Sequence, residues 1–354
     1  MRALRLMKVW KSAQKILCDE IKNQTISSPL IWFKFKHTLN KSGAEKLNIS
    51  PKMINFAFKI PQPLMMKILV TGANGQLGRE MREVLEQNCP GITVYTDVDT
   101  LDITDRNALE EFFKANAITH VVNCAAFTDV NRAETEQTPC YRINADAVQN
   151  LAQAAMSCNA KVIHISTDYV FDGTAHQPYT ESDKVHPVSA YGTSKRKGEM
   201  ALLSICPEAI ILRTAWLYSP HGGNFVKTMM NLGKEKPSLR VVFDQIGTPT
   251  SAADLAQAIY SILTARQWTP GIYHYSNEGA ISWYDFAKAI HRIAGITTCK
   301  VSPITTDDYP TPAKRPHYSV LDKSKIKRTF GIEIPYWEES LRKVIAEIQN
   351  NENQ

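Results

Sequence analysis

The chain contains no stretch near the ~18–20 consecutive apolar residues that a membrane-spanning helix needs. Even the apolar run from Ala115 to Thr128 is short and carries His120. It also has no Cys-x-x-Cys pair. The seven cysteines, at positions 18, 89, 124, 140, 158, 206 and 299, are odd in number and scattered, so neither a disulfide framework nor a zinc site is indicated. A reducing, cytoplasmic setting is the expectation. Repeats at solenoid periods and low-complexity tracts are missing as well. What is present is ordinary globular composition, 354 residues of which 44% are hydrophobic and 21% charged. That is enough for one large domain or two modest ones.

The net charge of +6 loses its meaning once it is divided along the chain. Residues 1–65 hold twelve Lys/Arg against Asp19, Glu20 and Glu45, a local balance of +9, which leaves −3 on the remaining 289 residues. The body has no basic stripe of the kind that neutralises phosphates, so neither nucleic acid nor a membrane is expected as partner. Residues 1–65 give one possible amphipathic helix, after which the pattern dissolves. No apolar core of secretory type follows the N-terminal charges, and the segment is mostly Lys where a mitochondrial transit peptide would be Arg-rich. It reads as a basic extension, disordered or non-native, with the functional protein beginning at Met65 or Met66. A basic surface-binding tail or an added helix is the other reading.

From Met66 short apolar runs alternate with helical periodicity. Strands are expected at residues 67–71, 92–96, 119–123, 161–165 and 209–212, and helices at 76–88, 105–116 (capped by Asp105) and 143–158, with another beginning near Ser189. This alternation implies a doubly wound parallel sheet of Rossmann type, with ligands beyond the carboxyl ends of the strands. After Trp216 the pattern becomes irregular, with Pro/Gly clusters and helical periodicity at 252–264, 283–293 and 337–348. Residues 66–215 are therefore read mainly as a dinucleotide-binding domain, and 216–354 mainly as a smaller, partly helical lobe completing a cleft.

The first strand runs into Gly72-Ala-Asn-Gly75-Gln76-Leu77-Gly78. Glycines at this spacing permit a tight turn, let backbone approach a pyrophosphate, and allow a helix to pack closely, while its N-terminus supplies amide donors. Asp97 lies 22 residues after Gly75, where a carboxylate can reach the adenosine ribose and favour NAD; Arg79 can instead counter a 2′-phosphate. Asp102 and Ile103, just beyond, can bracket the adenine. The fourth strand ends in Ser166-Thr167-Asp168-Tyr169, and 24 residues after Thr167 comes Tyr191-Gly-Thr-Ser-Lys195. Positions i and i+4 share a helix face, so the Lys195 ammonium can stand near the phenol, favour its ionised form and suit it to proton relay. The spacing alone is weak, since Tyr284 and Lys288 repeat it and chance supplies on the order of one such pair. Tyr191 has the context of the preceding Ser-Thr-Asp strand; Tyr284 does not, and reads as part of a surface or core-edge helix. Blander readings are a lobe-bridging core aromatic for Trp216, a cap for Asp168, a turn residue for Thr128 and a satisfied strand residue for His164.

The glycine turn with Thr167, Tyr191 and Lys195 resembles the extended short-chain dehydrogenase/reductase family. Finer phrases narrow the resemblance: Gly75-Gln-Leu-Gly78, Ser166-Thr-Asp-Tyr-Val-Phe-Asp-Gly173, Tyr191-Gly-Thr-Ser-Lys-Arg-Lys-Gly-Glu199, Arg213-Thr-Ala-Trp-Leu-Tyr218, Gly223-Asn-Phe225, Asp244-Gln-Ile-Gly-Thr-Pro-Thr250 and Arg315-Pro-His-Tyr-Ser-Val-Leu321. Together, over residues 66–349, they resemble the dTDP-4-dehydrorhamnose reductase family. The resemblance implies reduction of the C4 ketone of dTDP-4-dehydro-L-rhamnose by NADPH or NADH, the last step toward the dTDP-L-rhamnose used in cell-wall polysaccharide and lipopolysaccharide O-antigen. It implies that Tyr191 gives the proton, Lys195 holds the nicotinamide ribose and Thr167 assists near the carbonyl. By the same resemblance Gly75, Gln76 and Leu77 meet the pyrophosphate, and Asp97, Asp102, Ile103, Ala126, Phe127 and Thr128 line the cofactor. Thr167, Asp168 and Trp216 would touch the sugar nucleotide, with Asn224 and Arg315 as candidates for its diphosphate.

A homodimer is also implied. Some family members join subunits through a magnesium ion held by three glutamates; Glu80 and Glu347 match, but the third position is Ala253, which puts that site in doubt. Two alternatives stand beside this reading. One is another nucleotide-sugar enzyme, an epimerase or dehydratase, and the other is a non-catalytic relative of the methionine adenosyltransferase regulatory subunit.

Overall fold

The computed structural model describes residues 66–352. The expectations placed on residues 1–65 lie outside the described residues. In chain order the first elements are β1 (Ile68–Thr71), α1 (Gln76–Asn88), β2 (Thr93–Thr96), α2 (Arg106–Ala115) and β3 (His120–Asn123). Then come α3 (Val130–Thr135), α4 (Gln137–Tyr141), a π-helical turn (Arg142–Asp146), α5 (Ala147–Ser157), β4 (Lys161–Thr167), a 3₁₀ turn (Asp168–Val170), α6 (Ala190–Ile205) and β5 (Ile210–Thr214).

Strands β1 to β5 pair in parallel with a sixth, later strand in the order β10-β5-β4-β3-β1-β2. The chain leaves the sheet centre in one direction for β2 and in the other for β3, so the switch point falls between β1 and β3, where such sheets leave a crevice. Both faces are covered, which explains the near-continuous apolar strands. Ile68, Val70, Ile163, Ile210 and Leu212 point into one core with Met81 and Leu85 of α1. Their neighbours Leu69, Val162 and Ile211 point into the opposite core with Leu109, Phe113, Leu151 and Leu202.

The remaining elements are β6 (Leu217–Tyr218), α7 (Phe225–Glu235), β7 (Ser238–Val242), β8 (Ile246–Gly247), β9 (Thr250–Ser251), α8 (Ala252–Leu263), β10 (Gly271–His274), β11 (Ile281–Ser282), α9 (Trp283–Ala294), β12 (Lys300–Ile304), α10 (Ser324–Phe330) and α11 (Trp337–Glu352). Three two-stranded pairs, β6 with β9, β8 with β11 and β7 with β12, frame the smaller lobe. Its core joins Phe286, Ile290, Trp337, Leu341 and Ile345.

Two features depart from the sequence reading. Residues 252–274 return to the first half: α8 packs Leu255, Ile259 and Ile262 into the same core as α1, and β10 adds the sixth parallel strand. The helix expected over 143–158 begins with the π turn. Its extra residue aims the buried Asn144 inward, where Oδ1 accepts from Phe127 N (2.8 Å) and Nδ2 donates to Phe127 O and Ser194 Oγ (both 3.0 Å).

Candidate active site

At the crevice, β1 delivers the glycine turn. Gly72 has φ +64°, and a Cβ there would lie 2.7 Å from the Ala125 backbone at the end of β3, so only glycine fits. Gly78 is similarly forced, because its Cβ would meet Gly72 O at 2.3 Å and push α1 off the turn. Gly75 is the N-cap of α1, no side chain caps that end, and its first turn holds no acidic residue. Its amides and positive dipole end therefore stay open to an anion. Asp97 accepts from Asn74 N (2.8 Å) while Arg79 Nε donates to Asn74 O (3.0 Å), so the two side chains that bear on ribose against 2′-phosphate both anchor on Asn74. Asp102 binds Thr104 N (2.8 Å) and Ile103 is buried beside it. On the far side of the crevice Phe127 is buried and backbone-held by Asn144, Ala126 is half-buried and Thr128 exposed. This set fits a dinucleotide, with a cradle that any Cβ would fill.

Thr167 ends β4, opposite Thr214 of β5. Its Oγ1 donates to Asp168 Oδ1 (3.0 Å) and accepts from Tyr169 N (3.2 Å). Burial raises the Asp168 carboxyl to about 6, with the Ser319 and Thr167 hydroxyls offsetting only part of the effect. Ser189 caps α6 by accepting from Gly192 N, which sets Tyr191 in the first turn and Lys195 one turn on. Gly192 lets that turn press against the 3₁₀ segment, since a Cβ would lie 2.1 Å from Tyr169 O. Tyr169 in turn meets the Tyr191 ring edge-on, centroids 5.6 Å apart.

The expected effect of Lys195 on the phenol is not what the structure shows. Lys195 Nζ donates to Ile165 O (2.6 Å) and is buried, and desolvation lowers it to about 8. Tyr191 is pushed well above the usual phenol range by burial, opposed by the Thr167 hydroxyl. The i+4 spacing gives both residues one face, but the ammonium is drawn to the β4 carbonyl, so desolvation governs the phenol and keeps it protonated.

Several residues at this site escaped the sequence reading. Glu199, fully buried on α6, accepts from Ser166 Oγ (2.6 Å), Arg213 Nε and Nη2 (both 2.8 Å) and Arg196 Nη1 (2.8 Å), tying the helix to β4 and β5. Thr71 Oγ1 donates to Asn123 Oδ1 (2.7 Å), and Asn123 Nδ2 lies 3.0 Å from His164 Nδ1. Burial holds His164 well below its usual pKa; its Nε2 has no partner, so it is a neutral strand residue only half satisfied.

The smaller lobe supplies the rest. Arg315 Nη1 donates to Tyr169 OH (3.2 Å), bringing a guanidinium beside the Tyr169/Tyr191 pair. Trp216 stands two residues beyond Thr214 and stacks on Trp283. Asn224 lies where the smaller lobe meets Gln76 of the glycine turn. It caps α7 through Lys227 N (3.2 Å) and donates to Gln76 Oε1 (2.9 Å) and Ser219 O (2.8 Å), so its polar groups are consumed joining the smaller lobe to α1. Tyr284 and Lys288 lie on α9 of the smaller lobe.

The three positions matched to magnesium-holding glutamates carry two carboxylates and one alanine. Glu80 is buried and raised to about 7, first by burial and then by Glu83, Glu347 and Asp254, while Ala253 supplies no ligand. Among the described residues no group of three or more His, Cys, Asp or Glu side chains is arranged to hold a metal ion. No helix among them is long and apolar enough to cross a membrane.

A parallel doubly wound sheet with a glycine turn at its switch point and Thr, Tyr and Lys beyond β4 defines an extended short-chain dehydrogenase/reductase. The sequence pattern described as the RmlD substrate binding domain matches residues 66–350. A dTDP-4-dehydrorhamnose reductase of Aggregatibacter actinomycetemcomitans is 42% identical over 294 residues, covering 80% of this chain and 99% of that one. The crystal structure of a dTDP-4-dehydrorhamnose reductase from Clostridium acetobutylicum superposes with TM-score 0.77 at 47% identity, over 80% of this chain and all of that one. A Bacillus anthracis enzyme of the same name, in complex with NADP, gives TM-score 0.76 at 37% identity, again over 80% of this chain and all of its own. The chain belongs to the dTDP-4-dehydrorhamnose reductase family.

Proposed function

We propose that the protein reduces the C4 ketone of dTDP-4-dehydro-L-rhamnose to dTDP-L-rhamnose with NADPH or NADH. The observation that carries this reading is the Tyr191 phenol, set in the first turn of α6 with its ring against Tyr169, the second residue after Thr167 at the carboxyl edge of the sheet, and kept above the usual phenol range by desolvation. A ketone reduction needs a proton donor where alkoxide develops, and a neutral tyrosine is that donor. The bound nicotinamide supplies the hydride. Tyr191 gives its O–H proton to the C4 oxygen, and Thr167 holds that oxygen by hydrogen bonding. Lys195, fixed by Ile165 O, keeps further N–H donors for the nicotinamide ribose. Gly72, Gly75, Gln76, Leu77 and Gly78 hold the pyrophosphate, and Asp97, Asp102, Ile103 and the 126–128 segment enclose the adenosine and nicotinamide ends. Asp168, Trp216 and Arg315 face the sugar nucleotide. Asn224 is left out of this set because its side chain is already spent. Residues 66–215 with 252–274 form the cofactor half, and residues 216–251 with 275–352 the substrate half. A cytoplasmic location, supported by six free cysteines among the described residues, and a homodimer, implied by the family resemblance, accompany the reading.

The test is loss of nicotinamide absorbance when dTDP-4-dehydro-L-rhamnose is supplied to the full chain. Wild type should oxidise the cofactor, and Tyr191→Phe should lower the rate by roughly 10²-fold or more, the size of lost general-acid catalysis. A folded wild type that binds NADPH yet oxidises none of it would point to other nucleotide-sugar chemistry.

A further inference from the structure

Trp216 is held in a way that ordinary core packing does not require. Its φ is +47°, the left-handed region that bulky side chains avoid, and its carbonyl is pinned by Thr250 N at 3.1 Å. Its indole stacks on Trp283 with centroids 3.5 Å apart and planes at 11°, and Phe225 packs behind Trp283 at 4.6 Å. Gly247 completes the seat. A Cβ there would lie 2.6–2.8 Å from the indole atoms Cε2, Cζ2 and Nε1, so the glycine is needed for space and not for its own backbone angle. Despite these contacts the residue is only half-buried. Thr214, two residues earlier, pairs with Thr167, which places the strained residue at the sheet edge that carries the proton-donor site. Strain that persists under such over-determination marks a side chain aimed for a purpose.

We infer that Trp283 and Gly247 are positioning residues that fix the Trp216 indole as a preformed wall of the sugar-nucleotide pocket. The inference rests on the reading that Trp216 touches that substrate. An indole held rigid before binding loses little freedom when the sugar nucleotide arrives, so its contribution should appear in substrate affinity and not in cofactor affinity or the chemical step.

The experiment titrates dTDP-L-rhamnose into the full-length protein by calorimetry and measures KM for both substrates, for wild type, Trp216→Phe, Trp283→Leu, Trp283→Phe and Gly247→Ala. Trp283→Leu and Gly247→Ala should each weaken sugar-nucleotide binding by roughly tenfold, with KM for NADPH within about twofold of wild type. Trp283→Phe, which keeps a flat ring, should recover most of the loss. Equal losses toward both substrates, or unchanged sugar-nucleotide affinity in a folded Gly247→Ala protein, would overturn the inference. The two levels fail separately: wild type that does not bind dTDP-L-rhamnose sinks the functional reading. Wild-type binding with Trp216→Phe unaffected sinks the substrate contact and the inference with it. Binding weakened by Trp216→Phe but untouched by both Trp283→Leu and Gly247→Ala sinks only the positioning.

Discussion

Glu199→Gln should damage both stability and the alkaline side of the activity profile. The Glu199 carboxylate is wholly buried and accepts four hydrogen bonds, two of them from the equally buried Arg213. Burial alone would raise its carboxyl, but Arg213 with Ser166 and Arg196 holds it below the usual carboxylate range. The amide keeps the shape and removes the charge, leaving the Arg213 guanidinium uncompensated in a dry interior, where breaking a pair costs about 3–5 kcal/mol. At roughly 2–4 °C per kcal/mol for a domain of this size, the melting temperature should fall by about 6–20 °C. The same charge raises the pKa of Lys195, one turn earlier on the helix, so without it Lys195 should lose its proton below about 8. The alkaline limb of kcat/KM and of NADPH binding should then move to lower pH. The sign at acid pH is fixed too: a depressed carboxyl contributes stability above its unfolded pKa that is lost as pH falls through the folded value, so the gap between wild type and variant should start to close only below the ordinary glutamate value of 4.5. Scanning calorimetry at pH 4 and 7.5, with pH–rate profiles, reads both effects. Glu199→Gln/Arg213→Met should regain much of the loss, since replacing a whole buried pair is far milder than halving it. A single variant melting within a degree of wild type, with its alkaline limb in place, would refute the argument.

Gly192→Ala places a Cβ 2.1 Å from Tyr169 O, a backbone atom that cannot rotate away, so α6 must shift. Overpacking of this kind costs about 1–3 kcal/mol, and a displacement of ~1 Å at the adjacent Tyr191 should lower kcat by on the order of 10²-fold; a melting curve and steady-state rates on one preparation compare the two losses. Asp168→Asn should stabilise the protein at pH 8, because a carboxyl raised by burial to about 6 carries a charged-state penalty of roughly 2–3 kcal/mol. In the wild type the contribution of the neutral carboxyl is present below the unfolded value near 3.8 and lost as pH rises through 6, so the variant's advantage should vanish toward pH 4; a gap equal at pH 4 and 8 would remove burial as its cause.

What was legible in the sequence is what local rules determine. Alternating Ile68, Leu69 and Val70 announce a strand buried on two faces, and Gly72, Gly75 and Gly78 are readable because their need for space arises within a few residues. Tyr191 and Lys195 are readable because a helix brings i and i+4 together by itself. The illegible parts are choices of distant partner. Glu199 sits in Lys195-Arg-Lys-Gly-Glu, which reads as a solvated charged run until β5 supplies Arg213 to bury with it. The π turn at Asn144 has no periodic signature, since one added residue changes which side chain faces Phe127 without altering composition. The return of residues 271–274 to the sheet, beside β5, depends on a crossover through α8 that apolar spacing cannot assign to one lobe or the other. The bonds of Asn224 to Gln76, Ser219 and Lys227 are likewise illegible, because the first of them joins residues far apart in the chain.

The largest revision concerns how the phenol and the ammonium divide their work. An ammonium that depressed the Tyr191 pKa before substrate arrived would strip the proton that ketone reduction requires, so the pairing expected from i+4 spacing suits the reverse, alcohol-oxidising direction better. Here burial keeps the phenol protonated, and Lys195 spends one donor on Ile165 O. The ammonium matters after proton transfer, when a tyrosinate left in a site that has excluded water would be costly without a nearby positive charge. Lys195 reaches that role only while it is charged, and Glu199 is first among the groups that favour its charged form. The ion pair that anchors α6 to the sheet therefore also sets the electrostatics of the proton donor two turns away, which is why a residue that touches neither substrate nor cofactor belongs in any account of the chemistry.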